Sequence, residues 1–177
     1  LYLPSLIMLA SLAVVRSIAA VTGLDSQIKW PNDVLIKGKK VCGILVENDV
    51  RGNKVTYTII GIGINVNFSP SDFPEIPPTA TSLADELGSS VSRADMIRCL
   101  LIEMEKLYLA LPDGESIYQE WRDRLETLGR KVRVKSGETT LEGIAEAVAR
   151  DGSLLLRHSN GSSTKIVAGD VSLRDYE

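Results

Sequence analysis

The opening stretch, LYLPSLIMLASLAVVRSIAAVTG, leaves a folded chain few options. From Leu6 to Ala20 its only polar side chains are Ser11, Arg16 and Ser17. A segment that apolar must either enter a bilayer or be wrapped by the rest of the protein. The run is shorter than the roughly 20 residues a span requires. It also lacks the basic start and small-residue cleavage site of a secretory signal. Pro4 and Ser5 suit a helix start, and Gly23 suits the position just past a helix end. The expectation is a core helix over roughly 5–21, with no membrane partner. The pattern is under way at Leu1 without a Met, so the helix is expected to follow an earlier segment.

Charge narrows the function. Of 177 residues, 44% are hydrophobic and 24% charged, which fits one domain or one plus a small appendage. Up to Leu128 there are 12 Lys and Arg against 16 Asp and Glu, and beyond it 8 against 7. No segment therefore carries the basic footprint of a nucleic-acid binder. Cys42 and Cys99 are too few and too far apart for a disulfide framework or a zinc site, which points to a reducing cytoplasm. His158, the single histidine, is expected to be an exposed strand residue rather than part of a triad or metal centre.

Periodicity orders the rest. Val34–Ile36 and Val41–Val46 are β-rich runs joined by KGKK as a hairpin, and 54–68 forms a longer strand with two glycines near its end. A Pro-rich loop follows. Thr81–Leu87 makes a short helix ended by Gly88, and Ser92 opens a helix to about Leu109, with Met96, Leu100, Met104 and Leu107 at helical spacing. Asp113 is expected to cap a further helix whose inner face is Ile117, Trp121, Leu125 and Leu128. After Gly129 the pattern changes to five short strands with tight turns at Gly137, Asp151-Gly152 and Asn160-Gly161. That pattern suits a small SH3-like barrel packed on the preceding part.

The chemistry gathers in IKWPNDVLIKGKKVCGILVE, residues 28–47, where Lys29, Lys37, Lys39 and Lys40 surround one carboxylate, Asp33. Pro31 pushes Trp30 toward extended backbone and Asn32-Asp33 is turn chemistry. If the hairpin closes, Asp33 and Lys40 lie across from each other. Such a pair can act on a bound carboxylate and phosphate, or be an edge-strand ion pair with solubilising lysines. GIGIN, 61–65, is no dinucleotide fingerprint, because the third glycine and the following helix are missing. Glycines inside a strand do suggest close approach of a ligand or another backbone. Asn65 is either a ligand contact or a turn former. Cys42, with no histidine partner, reads as a small buried hydrophobe.

In combination, KWPND, KKVCGILVE and GIGINVN, extended by TATSL at 79–83 and GDVSLRD at 169–175, closely resemble the catalytic core of biotin protein ligases. The resemblance implies an α+β fold. A mixed sheet with packed helices forms a class II synthetase-like, biotin/lipoate ligase-like core, truncated at its N-terminus (residues 1–128). A small SH3-like β-barrel follows (129–177). It implies ATP-dependent activation of biotin to biotinyl-5′-AMP and transfer to a lysine of a biotin carboxyl carrier protein. Carried over residue by residue, Lys40 is the catalytic lysine and Asp33 orients the reacting groups. Lys29, Trp30, Asn32, Gly43, Ile44, Leu45, Asn65, Ala80, Thr81 and Arg174 fall at biotin- or adenylate-binding positions. No residue is assigned to metal; Mg²⁺ is expected with ATP, near Asn65 and Asp33. A homodimer through sheet edges is expected by the same analogy.

The Ser/Thr-rich biotin segment and Gly-Arg-Gly-Arg-type loop of that family have no counterpart here, and Gly129-Arg130-Lys131 lies in the wrong place for the loop. The chain therefore corresponds to the C-terminal two-thirds of such a ligase. Two alternatives stand beside the enzyme: a non-catalytic partner-binding or dimerising fragment, and a relative acting on lipoate or octanoate.

Overall fold

A computed structural model describes residues 3–52, 54–69, 72–73 and 75–173. The apolar opening is helix α1, Leu3–Thr22, stopped by Gly23, whose positive φ of 73° lets its N–H reach Ala19 O at 2.9 Å. By length and composition Ser5–Thr22 could cross a membrane. In this fold it is the central helix, with Leu9, Leu12, Val14 and Ile18 buried and Arg16 as its half-buried polar contact. Arg16 pairs with Glu103 and Glu120, two carboxylates from the helices that cover it.

Four strands follow in one antiparallel sheet, ordered as in sequence: β1 Gln27–Lys29, β2 Asp33–Ile36, β3 Lys39–Arg51 and β4 Lys54–Ile64. The β2–β3 turn has Lys37 at φ 50° and Gly38 at φ 77°, the left-handed pair that matches strand twist. β3 runs five residues past the expected Val46, because β4 pairs with it as far as Arg51. β4 ends at Ile64, short of the expected Phe68, where Asn65 N–H turns to Val41 O. The ladders of this sheet are antiparallel throughout. Parallel pairing enters as two isolated bridges, Ile28 with Leu125 and Lys40 with Ala80.

Helices α2 (Leu83–Leu87), α3 (Arg93–Leu109) and α4 (Gly114–Asp123) complete the layer, and α1 packs on α3, α4 and β3. Ser82 and Ser92 cap α2 and α3 by accepting from Asp85 N–H and Asp95 N–H. Asp113 sits at the N-terminus of α4 but makes no cap bond, because a 3₁₀ turn, Leu111–Asp113, leads into the helix. Met96, Leu107, Ile117, Trp121 and Leu125 are buried as their spacing requires.

The second sheet holds β5 Lys131–Ser136, β6 Thr139–Val148, β7 Leu154–Arg157, β8 Ser163–Ile166 and β9 Asp170–Leu173, in the order β8-β7-β6-β5-β9. The last strand thus closes back on the first, as in a small SH3-like barrel. One continuous apolar cluster runs from α1 and the first sheet into this barrel. Trp30 Nε1 donates to Gly152 O at 2.8 Å and Tyr118 OH to Val148 O at 2.8 Å across the junction. His158 is half-buried rather than exposed: Nδ1 donates to Glu142 O at 3.1 Å, so Nε2 accepts from Thr164 Oγ1 at 2.8 Å.

Candidate active site

A regular strand would bury Lys40. Positions 40, 42 and 44 share one face of an unbroken β3, and Cys42 and Ile44 are 1% and 3% exposed in the core. The register shows why Lys40 escapes. Val34 pairs with Cys42, but the next residue, Leu35, pairs with Lys40, leaving Val41 as an extra residue on β3. A bulge of this kind re-aims the side chains beyond it. Lys40 is turned onto the opposite face, where Asp33 stands.

That face has a distinct layout. One row crosses all four strands: Lys29 opposite Asp33, Asp33 opposite Gly43, and Gly43 opposite Gly63. In the next row Leu45 faces Gly61. Lys40 Nζ lies 2.6 Å from Asp33 Oδ1, and Lys29 Nζ lies 3.8 Å from Asp33 Oδ2. Asp33 is not directly across from Lys40; the lysine reaches it by lying over Gly43. A Cβ there would come within 3.2 Å of both Lys40 Cε and Nζ. The other two glycines differ. A Cβ at Gly61 or Gly63 would meet nothing nearer than 3.8 Å, so the chain's own packing does not demand glycine there. Bare backbone on an open face suits close approach by a flat ligand.

The backbone of Lys40 is held on its other side. Its N–H donates to Thr79 O at 2.7 Å and its C=O accepts from Thr81 N–H at 2.8 Å. Ala80 is thereby placed beside Lys40, while the Thr81 side chain is fully buried. Asn65 and Asn32 are occupied as backbone ties: Asn65 Nδ2 donates to Thr81 O at 2.9 Å, and Asn32 Nδ2 to Ile44 O at 2.6 Å.

A cleft of about 440 Å³ opens over the pair, lined by Lys29, Asp33, Leu35, Lys40 and Thr79 from the core and by Glu126, Arg130 and Ser172 at and beyond the junction. The last three, distant in sequence, carried no local signal; only the docking of the barrel brings them here. A larger cavity, about 980 Å³, lies elsewhere, between α1, α3 and the outer half of β4, and holds none of this chemistry. Trp30 and Ile44 do not face the cleft. Trp30 is 1% exposed and points to the barrel, and Ile44 is on the core face by strand alternation. Leu45 stands exposed on the glycine face. Arg174 lies outside the described residues. Burial first, then the Asp33 charge, push the Cys42 thiol up to about 12 against the opposing pull of Lys40 and a Gly63 hydrogen bond, so it is no nucleophile.

Residues 1–65 match the biotin/lipoate A/B protein ligase family, and residues 127–174 match the biotin protein ligase C-terminal domain. The chain is 39% identical over 173 residues to the bifunctional ligase/repressor BirA of Bacillus subtilis, covering 96% of this chain and 53% of that protein. It is 34% identical over 167 residues to the biotin--[acetyl-CoA-carboxylase] ligase of Mycobacterium tuberculosis, covering 92% and 59%. It thus spans little more than half the length of these relatives. Its backbone matches a biotin protein ligase from Aquifex aeolicus with a TM-score of 0.83 at 27% identity, over 99% of this chain and 76% of that one. A structure of the Aquifex aeolicus ligase with biotin and ATP matches with a TM-score of 0.78, also at 27% identity, over 98% and 72%. Matched at both ends by ligase family models and along nearly its whole length by ligases, the chain belongs to the biotin protein ligase family.

Proposed function

We propose that this chain carries the adenylation centre of a cytoplasmic biotin protein ligase, with Lys40 as the catalytic lysine. The observation that carries the reading is the Val41 bulge, which places a lysine over glycine and against Asp33 on an otherwise bare sheet face. In the first step an oxygen of the biotin carboxylate attacks the α-phosphorus of ATP. The bond to the bridging oxygen breaks, and pyrophosphate leaves. In the second, a carrier-protein lysine amine attacks the acyl carbon of biotinyl-5′-AMP, and AMP leaves with the bonding pair. Negative charge gathers on the phosphorus oxygens in the first transition state, where an ammonium already oriented by Asp33 lowers the barrier without reorganising. Gly43, Gly61 and Gly63 with Leu45 offer an apolar floor for an uncharged bicycle. Lys29, Ala80 and Thr79 border the nucleotide side, and Asn32, Asn65 and Thr81 hold the backbone around it.

Among the described residues no three carboxylate, cysteine or histidine side chains cluster to hold a metal. Asn65 donates through Nδ2 to Thr81 O, an arrangement that leaves its Oδ1 as an acceptor, while Asp33 faces two ammoniums. Mg²⁺ belongs here as the counter-ion of ATP, part of the substrate. The division of labour follows the change of sheet: a core unit over 1–128 and a barrel over 129–177. Biotin is favoured over lipoate because the barrel matches the biotin-specific C-terminal model. The edge strand β4, with Val55, Tyr57 and Ile59 exposed, is where a second copy would add by sheet extension.

The test is binding of a non-hydrolysable biotinyl-adenylate analogue followed by backbone amide shifts, alongside biotin-dependent ATP–pyrophosphate exchange. Shifts centred on Gly43, Gly63 and Lys40, weakened in Lys40→Ala, support the reading. Tight analogue binding that leaves these amides unmoved would sink it, and preference for a lipoyl over a biotinyl adenylate would redirect it.

A further inference from the structure

No motif singles out Glu86, yet it is the most enclosed carboxylate near Lys40. On α2, its side chain is 8% exposed. One oxygen, Oε1, accepts from Thr81 Oγ1 at 2.9 Å, and the other lies 3.0 Å from Lys37 Nζ. A carboxylate so enclosed must be paired to stay ionised. Burial pushes the Glu86 carboxyl up, but hydrogen bonds from Lys37 and Thr81 and the charges of Lys37 and Lys39 outweigh it and leave it below the usual range.

Its partners matter because of what they hold. Lys37 is in the β2–β3 turn, two residues before β3 begins at Lys39 and four before the extra residue Val41. Thr81 belongs to the short segment that clamps both backbone groups of Lys40. That segment follows the Pro-rich loop and touches β3 through a single isolated bridge. Two backbone bonds on the end of a loop open readily unless something anchors them, and here the anchors are Asn65 on Thr81 O and Glu86 on the Thr81 hydroxyl. Glu86 ties turn, segment and α2 into one piece.

We infer that Glu86, acting through Thr81, is a positioning residue for Lys40. It fixes the 79–81 segment against the lysine's backbone so that the side chain lies over Gly43 toward the reacting phosphate. The inference rests on the reading of Lys40 given above, so two separate measurements are needed. Amide hydrogen exchange at Lys40 and Thr81, without substrate, reports the clamp itself. In Glu86→Gln it is expected to quicken at both amides by about tenfold or more. Adenylate formation reports the consequence: kcat is expected to fall about tenfold while the biotin KM stays within about twofold. Thr81→Val should behave like Glu86→Gln and Thr81→Ser like wild type. The double variant Thr81→Val/Glu86→Gln should be no worse than the worse single. If Glu86→Gln does not fold, the two Thr81 variants carry the same comparison. Unchanged exchange at both amides overturns the inference, as does a Thr81→Ser variant as impaired as Thr81→Val. A Glu86→Gln loss confined to KM also overturns it. If Lys40→Ala changes neither adenylate formation nor binding of the biotinyl-adenylate analogue, the ligase reading of Lys40 falls. The exchange rates then decide the clamp alone: quickened upholds it, unchanged overturns it.

Discussion

At the scale of single residues, what matters is where one ammonium can reach. Lys40→Ala is expected to cut pyrophosphate exchange by at least about 100-fold, roughly 2.7 kcal/mol of barrier, with the fold intact by circular dichroism. Gly43 tests the same geometry from the other side. A methyl group there would sit 3.2 Å from Lys40 Cε and Nζ, atoms at the end of a flexible chain. The chain can swing aside at little cost in stability. Gly43→Ala should therefore melt within a few degrees of wild type yet lose about tenfold in exchange rate. Asp33, Lys40 and the glycines were all legible as a motif in the sequence. Their mutual arrangement was not: the Lys37-Gly38 turn puts Asp33 and Lys40 on one face, but without the bulge Cys42 rather than Gly43 would stand opposite Asp33.

At the scale of elements, glycines in the two sheets serve different ends. A Cβ on Gly143 of β6 would lie 2.5 Å from Arg157 O and 2.9 Å from Leu156 Cγ, a clash with backbone that cannot step aside. Gly143→Ala is expected to destabilise the barrel by about 1–3 kcal/mol, read as a lower urea midpoint. Gly63→Ala, with nothing nearer than 3.8 Å, should leave that midpoint unchanged and weaken adenylate-analogue binding instead. The period of each element was readable in advance, because burial imposes it. Ends were less so: β3 and β4 are set by how long two strands keep pairing, and the α4 start by a 3₁₀ turn that Asp113 does not advertise.

For the whole molecule, the joint between core and barrel is decisive. Trp30, expected at the ligand, instead donates its indole N–H to Gly152 O in the β6–β7 turn. Next to it, hydrogen bonds from Lys165 and then Ser153 hold the Asp151 carboxyl down at about 2, against an ordinary 3.8. A depressed carboxyl stabilises the fold above its unfolded value and loses that contribution as pH falls through the folded one. Asp151→Asn should thus melt lower than wild type at pH 7, with the gap closing between about pH 4 and pH 2 in melts across that range. Trp30→Phe removes one partly buried hydrogen bond, about 1 kcal/mol, and a double-mutant cycle with Asp151→Asn should show coupling above about 0.5 kcal/mol. By itself the sequence determined the core helix, the barrel's strand pattern and the identity of the charged groups, since each follows from local periodicity, turn chemistry or motif. Only the tertiary structure decided which face Lys40 occupies, that Glu86 braces it and that Glu126, Arg130 and Ser172 share its cleft. Those depend on strand register and domain docking, which join residues with no local trace of one another.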